Sequence, residues 1–327
     1  MTLSAYDVAN VPIGELMVEA ARLRSVVFEN RVDLCAIVNI KSGCCGMDCG
    51  FCAQSVHHRT GVEVYPLRNP SELVESTQNI WREGVGRVGW VSSGCRLSGV
   101  EVDVVLSAAE ILASGNQSNL PKNHTENHVE NHADNCPKNS SGKLCCASFG
   151  QLDSQSLKRL KSAGFAHYHH NLETSERFYP SICTTQKWTD RLATLNRVLE
   201  LGWEVCSGGI FGLGETWEDR IQLAQTLKNL NVKSVPLNFY NPITGTPLAG
   251  VEKLGVEEGL RIIALFRIML PDASIRICGG RPKIFAGCGE KLFQAGADSL
   301  MTGNYLTTNG ITPEQDKKMI TKAGFTF

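Results

Sequence analysis

The feature that most constrains the fold of this chain is a regular alternation of short β-rich runs with amphipathic helical stretches. Apolar residues three and four positions apart mark the helical stretches, and clustered β-branched residues mark the strands. Such alternation predicts βα units with a parallel sheet, and eight units fit an α/β fold of the (β/α)₈ TIM type. The strand candidates are 34–40, 88–92, 144–149, 167–171, 204–210, 234–239, 274–278 and 299–302.

Helices are predicted between the strands and ahead of the first one. The predicted helices are 13–28, which follows Pro12, and 154–163, 189–201, 216–230 and 256–269. Gly164, Gly202 and Gly324 stand where helices would end, because glycine favours that position. We therefore expect a single barrel domain over 1–327 with an N-terminal helical extension, in which 281–327 supplies the last strand and the terminal helix.

The charge balance and the hydropathy exclude several classes of partner. The 32 Lys and Arg residues are offset by 33 Asp and Glu residues, which gives no electrostatic case for nucleic acid or an anionic membrane. No apolar stretch approaches the roughly 20 residues that span a bilayer, and the first residues do not form a signal peptide pattern. We expect a cytoplasmic globular protein.

The segment 114–143 breaks the βα pattern, because it is polar and rich in asparagine. A four-residue repeat within it places His124, His128, His132 and Cys136 four residues apart. We interpret the segment as an expanded, mobile surface insertion. The alternative is a metal site, since residues four apart lie on neighbouring turns of a helix.

Thirteen cysteines are many for a chain of this kind. A disulfide framework is typical of small secreted proteins, so metal binding is the better explanation of the excess. Free cysteine is also a common small core residue. We assign Cys35, Cys183 and Cys288 to packing on that ground.

Just past the first strand, Cys45, Cys49 and Cys52 form a Cx₃CxxC pattern. Three thiolates on one tight loop hold three corners of a [4Fe–4S] cluster and leave one iron open for a small molecule. The alternative is a zinc loop, for which Cys44 or His57 would supply the fourth ligand.

A second set of candidates is spread over several strands. Cys95 follows the second strand, Cys146 lies on the third, and Cys206 lies on the fifth. Arg276 and Cys278 lie two apart on the seventh strand and so share a face. Each cysteine alone could be a core residue, but in a barrel the set can converge in the lumen and favours a second iron–sulfur cluster.

The cysteine loop resembles that of the radical S-adenosylmethionine superfamily. There the open iron binds S-adenosylmethionine, and an electron from the cluster cleaves it to methionine and a deoxyadenosyl radical. The resemblance implies that Cys45, Cys49 and Cys52 are catalytic, and Phe51 matches an aromatic residue that packs by the adenine.

Over 42–324, apart from the insertion, the chain resembles the biotin synthases. The matching stretches are 42–55, 170–175, 205–210, 212–216, 245–248 and 306–308. That family inserts sulfur from a second cluster into dethiobiotin. The resemblance implies a homodimer and a flavodoxin or ferredoxin as the electron donor.

The resemblance also implies contacts to the two small molecules. Glu173, Arg191 and Ile210 would bind S-adenosylmethionine, with Arg191 paired to its carboxylate. Asn171 and Asn238 would hydrogen-bond the ureido ring of dethiobiotin.

Two of the small-molecule contacts depart from the family pattern. His169 stands at a substrate contact where asparagine is usual, and Glu173 stands where aspartate is usual. The sequence alone also permits Arg191 as an exposed helix charge, Asn238 as a turn residue and Glu173 as a surface acid.

For the second cluster, the resemblance implies Cys95, Cys146 and Cys206 as ligands, with Arg276 as the fourth. Cys278 departs from the family, which has a small polar residue there. We predict that Cys278 is a ligand that replaces or joins Arg276, and a further thiolate favours a four-iron cluster over a [2Fe–2S] cluster. The alternative is that Cys278 only packs.

Two other functions fit parts of the pattern. A related radical enzyme of the hydrogenase-maturase or methylornithine-synthase kind would share the barrel and the first cluster. A non-catalytic metal carrier would use the histidine repeat as a metal store.

Overall fold

The computed structural model describes residues 10–115 and 143–327. The predicted insertion at 114–143 and its histidine repeat therefore lie outside the described residues, apart from Ser114, Gly115 and Lys143. In the part that is described, no helix is both long and apolar enough to cross a membrane.

The strands of the described residues are all parallel and close into a barrel. They are β1 (Asp33–Lys41), β2 (Arg87–Ser92), β3 (Leu144–Ser148), β4 (Tyr168–His169), β5 (Val205–Cys206), β6 (Gly209–Phe211), β7 (Ser234–Phe239), β8 (Ser274–Ile277) and β9 (Ser299–Met301). The sheet order is β5-β4-β3-β2-β1-β9-β8-β7-β6, and a further pairing between β5 and β7 closes it. Since β5 and β6 both pair with β7, they are two parts of the fifth barrel strand. The predicted eight-stranded barrel is confirmed.

Helices surround the barrel and follow most of its strands. They are α1 (Ile13–Phe28), α2 (Pro70–Arg82), α3 (Gly99–Gly115), α4 (Ser154–Ser162), α5 (Trp188–Glu200), α6 (Trp217–Asn229), α7 (Val256–Met269), α8 (Arg281–Ile284), α9 (Lys291–Gln294) and α10 (Pro313–Lys322). Helix α2 shows why they begin where they do, because Asn69 and Glu72 cap each other's backbone N–H and Pro70 occupies the first turn. Gly164, Gly202 and Gly324 have positive φ just beyond helices, as predicted.

The break in the fifth barrel strand has a steric cause. A Cβ at Gly208 would lie 1.9 Å from the carbonyl oxygen of Pro236, and one at Gly209 would lie 2.4 Å from that of Glu173. Only glycine permits this approach. The peptide freed by the break donates from Gly208 N to the side-chain oxygen of Asn171 at 3.1 Å. The break therefore fixes two predicted site residues at the top of the barrel.

Candidate active site

A cavity of about 400 Å³ occupies the lumen and opens at the C-terminal ends of the strands. Every residue that the sequence predicted for the site contributes to its lining. The position agrees with TIM-type barrels, in which the loops after the strands form the active site. The cavity has two thiol-bearing regions, one at the mouth and one deep in the barrel.

The cysteine loop forms the mouth. It follows β1 and folds back on itself, because Cys45 N donates to the carbonyl oxygen of Gln54 at 3.0 Å and Val56 N donates to that of Cys45 at 2.8 Å. Cys49 is buried, and Cys45 and Cys52 are partly exposed to the cavity. The loop thus presents all three thiols on one side, in an arrangement that fits three ligands of a cluster.

The structure also bears on the zinc alternative. Cys44, proposed as a fourth zinc ligand, is exposed. His57 Nε2 lies 3.1 Å from the carbonyl oxygen of Gly46 and so braces the loop backbone. Among residues 10–115 and 143–327, no three His, Cys, Asp or Glu side chains converge on a point that suits a single metal ion.

Asp48 anchors the cysteine loop to the segment at 182–185. Its carboxylate accepts hydrogen bonds from Thr184 N at 2.9 Å, from Thr185 N at 3.1 Å and from both threonine hydroxyls. Burial opposes ionisation of this carboxyl, but those hydrogen bonds outweigh it and hold the pKa of Asp48 well below its usual range. The position of Asp48 inside the cysteine motif is the one signal in the sequence that could have pointed to this role.

Asp48→Ala is expected to speed the loss of iron from the loop cluster by about tenfold. A hydrogen bond to a charged group contributes about 1.5–3 kcal/mol, and tenfold corresponds to about 1.4 kcal/mol. The measurement is anaerobic bleaching of the cluster absorbance by a chelator, with Asp48→Asn as the control that keeps one acceptor oxygen. Bleaching of the alanine variant at the parent rate would contradict the anchoring role.

Cys183, which we assigned to packing, lies beside the loop. It is buried, and its thiol shares a hydrogen bond with Cys49 that lowers the pKa of Cys183 and raises that of Cys49. Its sulfur is 3.7 Å from the hydroxyl of Thr185. The residue therefore packs as predicted, and it also touches a loop cysteine.

A polar group stands between the two thiol regions. Arg191 on α5 donates to the carbonyl oxygen of Asn171 at 2.9 Å and to the hydroxyl of Tyr179 at 2.8 Å, and it lies 3.4 Å from Glu173. The side chains of Arg191 and Glu173 are each 12% exposed. The alternatives of an exposed helix charge and a surface acid are therefore wrong. Glu173 has a positive φ of 71°, which for a non-glycine residue marks a constrained position.

Three further predicted residues line the same cavity. Asn238 lies within β7, so the alternative of a turn residue is wrong, and it donates to the carbonyl oxygen of Gly209 at 3.2 Å. Its side-chain oxygen accepts from Gly279 N at 3.0 Å. Ile210 on β6 and Phe51 on the cysteine loop add apolar surface to the same cavity.

Deep in the barrel, Arg276 on β8 points among thiols. Its Nε donates to Ser299 Oγ at 2.8 Å, and one terminal nitrogen lies 3.2 Å from Ser234 Oγ and 3.7 Å from Cys206 Sγ. Burial alone would lower the pKa of this guanidinium, but the surrounding cysteines raise it.

Arg276 differs from two other buried arginines in its partners. Arg267 and Arg281 pair with aspartates. In the described part of the chain, no carboxylate forms an ion pair with Arg276, and cysteines are the neighbours that raise its pKa. A buried cation is costly unless an anion accompanies it. The lumen is therefore suited to an anionic group.

Cys206 on β5 is held by three polar neighbours. It pairs in the sheet with His169 on β4, and its sulfur lies 3.2 Å from Ser234 Oγ. Burial would raise the pKa of the Cys206 thiol, but the hydrogen bond with His169 and the charge of Arg276 lower it to about 6. The thiolate form, which a metal requires of a cysteine ligand, is thus favoured at this position.

Cys146 on β3 has a matching environment on the other side of the lumen. Its sulfur is 3.7 Å from His167 Nδ1 and 4.0 Å from a terminal nitrogen of Arg87. Burial would raise the pKa of the Cys146 thiol, but the hydrogen bond with His167 and the nearby positive charge lower it to about 7. Neither His167 nor Arg87 was predicted from the sequence as a site residue.

Cys35 and Cys278 complete the lumen thiols. Both are buried and line the cavity, and the charge of Arg276 acts on both. Arg276 and Cys278 face the same way, as their spacing predicts. Cys35 is buried, as its assignment to packing predicts, but it also faces the lumen, which the sequence analysis missed.

Cys95 lies on the loop after β2. It stands three residues beyond the end of the strand, and its carbonyl oxygen accepts from Gln151 N at 2.9 Å. Cys95 lines the same cavity as Cys146 and Cys206. Its role as a ligand of a second cluster stays a prediction.

Comparison with known sequences identifies the family. The Radical SAM superfamily profile matches residues 39–227, and the Biotin and Thiamin Synthesis associated domain matches residues 236–326. The biotin synthase of Desulfovibrio desulfuricans is 45% identical over 98% of this chain and 93% of its own length. The chain belongs to the biotin synthase family. The biotin synthase of Trichlorobacter lovleyi is 40% identical over 98% of this chain and 90% of its own length.

Solved structures support the fold assigned to this biotin synthase family member. A methylornithine synthase superposes with a TM-score of 0.79 at 17% identity, over 100% of this chain and 94% of its own. The FeFe-hydrogenase maturase from Carboxydothermus hydrogenoformans superposes with a TM-score of 0.76 at 18% identity, over 99% and 75%. At such low identity these likenesses show the barrel alone. The family carries a [4Fe–4S] cluster and uses S-adenosylmethionine.

Proposed function

We propose that this chain converts dethiobiotin to biotin by radical insertion of sulfur, with the radical made at the barrel mouth and the sulfur supplied in the lumen. The observation that carries the proposal is that two separate sets of thiols open onto one cavity. A single-cluster enzyme has no need of the second set. Membership of the biotin synthase family supports the same reaction.

At the mouth, Cys45, Cys49 and Cys52 would hold the [4Fe–4S] cluster. When bound, that cluster supplies the electron that cleaves S-adenosylmethionine to methionine and a deoxyadenosyl radical. Arg191 would pair with the carboxylate of S-adenosylmethionine, since it lies in the cavity and its charge is secured by Glu173. These contacts would hold the cofactor between the loop and the substrate.

The substrate would lie between the mouth and the lumen thiols. The side chains of Asn171 and Asn238 are fixed by backbone groups, so their remaining hydrogen-bonding positions are oriented for a ureido ring. His169 would contact the substrate beside Cys206. Ile210 and Phe51 would pack on the adenosyl group and exclude water from the reacting atoms.

In the lumen we propose Cys35, Cys146, Cys206 and Cys278 as ligands of the auxiliary iron–sulfur cluster. Arg276 lies among them without a carboxylate partner in the described residues, and we propose that it compensates the cluster charge. Four thiolates can hold a four-iron cluster or a [2Fe–2S] cluster, and the four-iron cluster stays the prediction. The ligand role of Cys95 stays a prediction that iron counts on a variant will test.

The electron donor and the oligomeric state follow from likeness to the family. The reducing electron would come from a flavodoxin or ferredoxin, and the chain would act as a homodimer. The proposed location is the cytoplasm, as expected from the sequence.

An anaerobic assay with dithionite, S-adenosylmethionine and dethiobiotin tests the proposed function. The expected products are biotin, methionine and deoxyadenosine, because the mouth and the lumen act in sequence on one bound substrate. Deoxyadenosine without biotin would overturn the substrate assignment and favour another radical enzyme. Bound iron with no cleavage of S-adenosylmethionine would overturn the radical chemistry and favour a metal carrier.

A further inference from the structure

A second arginine, Arg87, faces the lumen thiols from the N-terminal end of the barrel. It is the first residue of β2, it is 9% exposed, and its guanidinium lines the cavity. One terminal nitrogen lies 4.0 Å from Cys146 Sγ. The arrangement matches that of Arg276, whose terminal nitrogen lies 3.7 Å from Cys206 Sγ. Each of these two cysteines therefore has its own arginine.

Arg87 is held in place by a chain of hydrogen bonds. His167 Nε2 lies 2.9 Å from a carboxylate oxygen of Glu204. The Arg87 terminal nitrogen lies 2.8 Å from His167 Nδ1, which also lies 3.7 Å from Cys146 Sγ. The side chain of Glu204 is 31% exposed, so the outer end of this hydrogen-bond chain reaches the surface. The imidazole is thus fixed at both nitrogens.

The position of Arg87 is explained by the charge of a cluster bound in the lumen. An iron–sulfur cluster held by several thiolates is anionic, and burial makes an uncompensated anion costly. A hydrogen bond donated to a ligand sulfur raises the reduction potential of a cluster, and so does a cation near the cluster. Both favour the more negative, reduced form. Arg87 is permanently charged and lies beside a ligand sulfur.

We propose that Arg87, positioned by His167 and Glu204, is a second cluster-facing arginine that stabilises the auxiliary cluster at Cys146 and raises its reduction potential. This role rests on the proposed function, since it requires a cluster in the lumen. His167 and Glu204 act through Arg87 and are positioning residues. The interaction is separate from the cluster at the mouth.

The test uses the full chain with Cys45, Cys49 and Cys52 replaced by alanine, so that only the lumen can hold a cluster. The cluster is rebuilt anaerobically from ferrous iron and sulfide in this parent and in its Arg87→Met and Arg87→Lys derivatives. Reduction potential is measured by mediated titration, and iron release is measured with a chelator. We expect Arg87→Met to shift the potential to more negative values and to release iron roughly tenfold faster.

Two further variants separate charge from folding. Arg87→Lys keeps the cation and is expected to retain most of the parent potential. Glu204→Gln changes only the outer end of the hydrogen-bond chain. It is expected to shift the reduction potential in the same direction as Arg87→Met does, but by a smaller amount. An Arg87→Met chain that fails to load beside a loaded Arg87→Lys chain would also support the role of the charge.

The outcomes distinguish this proposal from the proposed function. A loaded Arg87→Met chain with the parent potential and the parent rate of iron release would overturn the role of Arg87 alone. A parent that binds no iron in the lumen would overturn both proposals. Equal shifts in Arg87→Lys and Arg87→Met would show that the charge is not what matters and would also overturn the role of Arg87.

Discussion

Replacing Cys52 with alanine is expected to abolish the release of deoxyadenosine, a fall of at least about a thousandfold, as for the loss of a residue essential to the chemistry. The loop offers three thiols toward the cavity, and a cluster that loses one of them is no longer held at three corners. The measurement is deoxyadenosine produced under reducing, anaerobic conditions, with iron per chain determined on the same sample. Barrel folding is followed by circular dichroism.

The matched control is Cys44→Ala, one residue before the motif. Cys44 is exposed, whereas Cys45, Cys49 and Cys52 line the cavity. We expect this variant to keep the iron and the activity of the parent. If Cys44→Ala loses metal as completely as Cys52→Ala does, the loop binds a four-ligand zinc ion instead, and the account of the mouth is contradicted.

Replacing Cys206 with alanine is expected to abolish biotin formation by at least about a thousandfold while deoxyadenosine is still released. Cys206 lies in the lumen, and its sulfur contacts Arg276 there. The loop cysteines are not among the neighbours that most shift its pKa. Its loss would remove the sulfur-supplying cluster and leave the radical-forming cluster in place. The two products are quantified in one reaction. Loss of both products together would contradict the division of the cavity into two chemical regions.

Iron and sulfide counts on single variants then define the ligand set. Cys35→Ala and Cys278→Ala are each expected to lower the auxiliary iron and change its spectrum, because both thiols face the lumen. Cys44→Ala is the matched control and is expected to leave the auxiliary iron unchanged, because Cys44 is exposed. Auxiliary iron lost in Cys95→Ala and Cys278→Ala but kept in Cys35→Ala would favour the ligand set that the sequence predicted.

The elements with a clear period were predictable from the sequence. The spans 13–28, 234–239 and 256–269 agree with α1, β7 and α7 to the residue. The fifth strand was predicted as one continuous run over 204–210, but it is interrupted between β5 and β6. The interruption depends on the approach of another strand to a glycine, and strand propensity carries no information about such an approach.

Which cysteines face the lumen was harder to predict, because β1 is buried on both faces. A strand of a parallel barrel is a near-continuous apolar run, so alternation does not reveal which residues point inward. Cys35 was assigned to packing because free cysteine is a common core residue, and no alternation in the strand argued against it. Cys278 was found because it stands two residues from Arg276, whose buried charge marks the inner face.

The polar residues between the two regions were predicted by likeness to a family and not by their pattern. Sequence alone left Arg191 and Glu173 open as surface charges. The structure buries both against Asn171, because α5 presents Arg191 to the end of β4 and the break beside Gly208 draws Glu173 inward. Such contacts join residues that are distant in the sequence, and the local hydrophobic pattern carries no information about them.

The most direct test of the central claim follows the sulfur atom. The auxiliary cluster is rebuilt with isotopically heavy sulfide, free sulfide is removed, and biotin from the first turnover is analysed by mass spectrometry. The account predicts that this biotin carries the heavy isotope and that Cys206→Ala yields none. Biotin of natural mass from the labelled enzyme would contradict the claim that the lumen cluster supplies the sulfur.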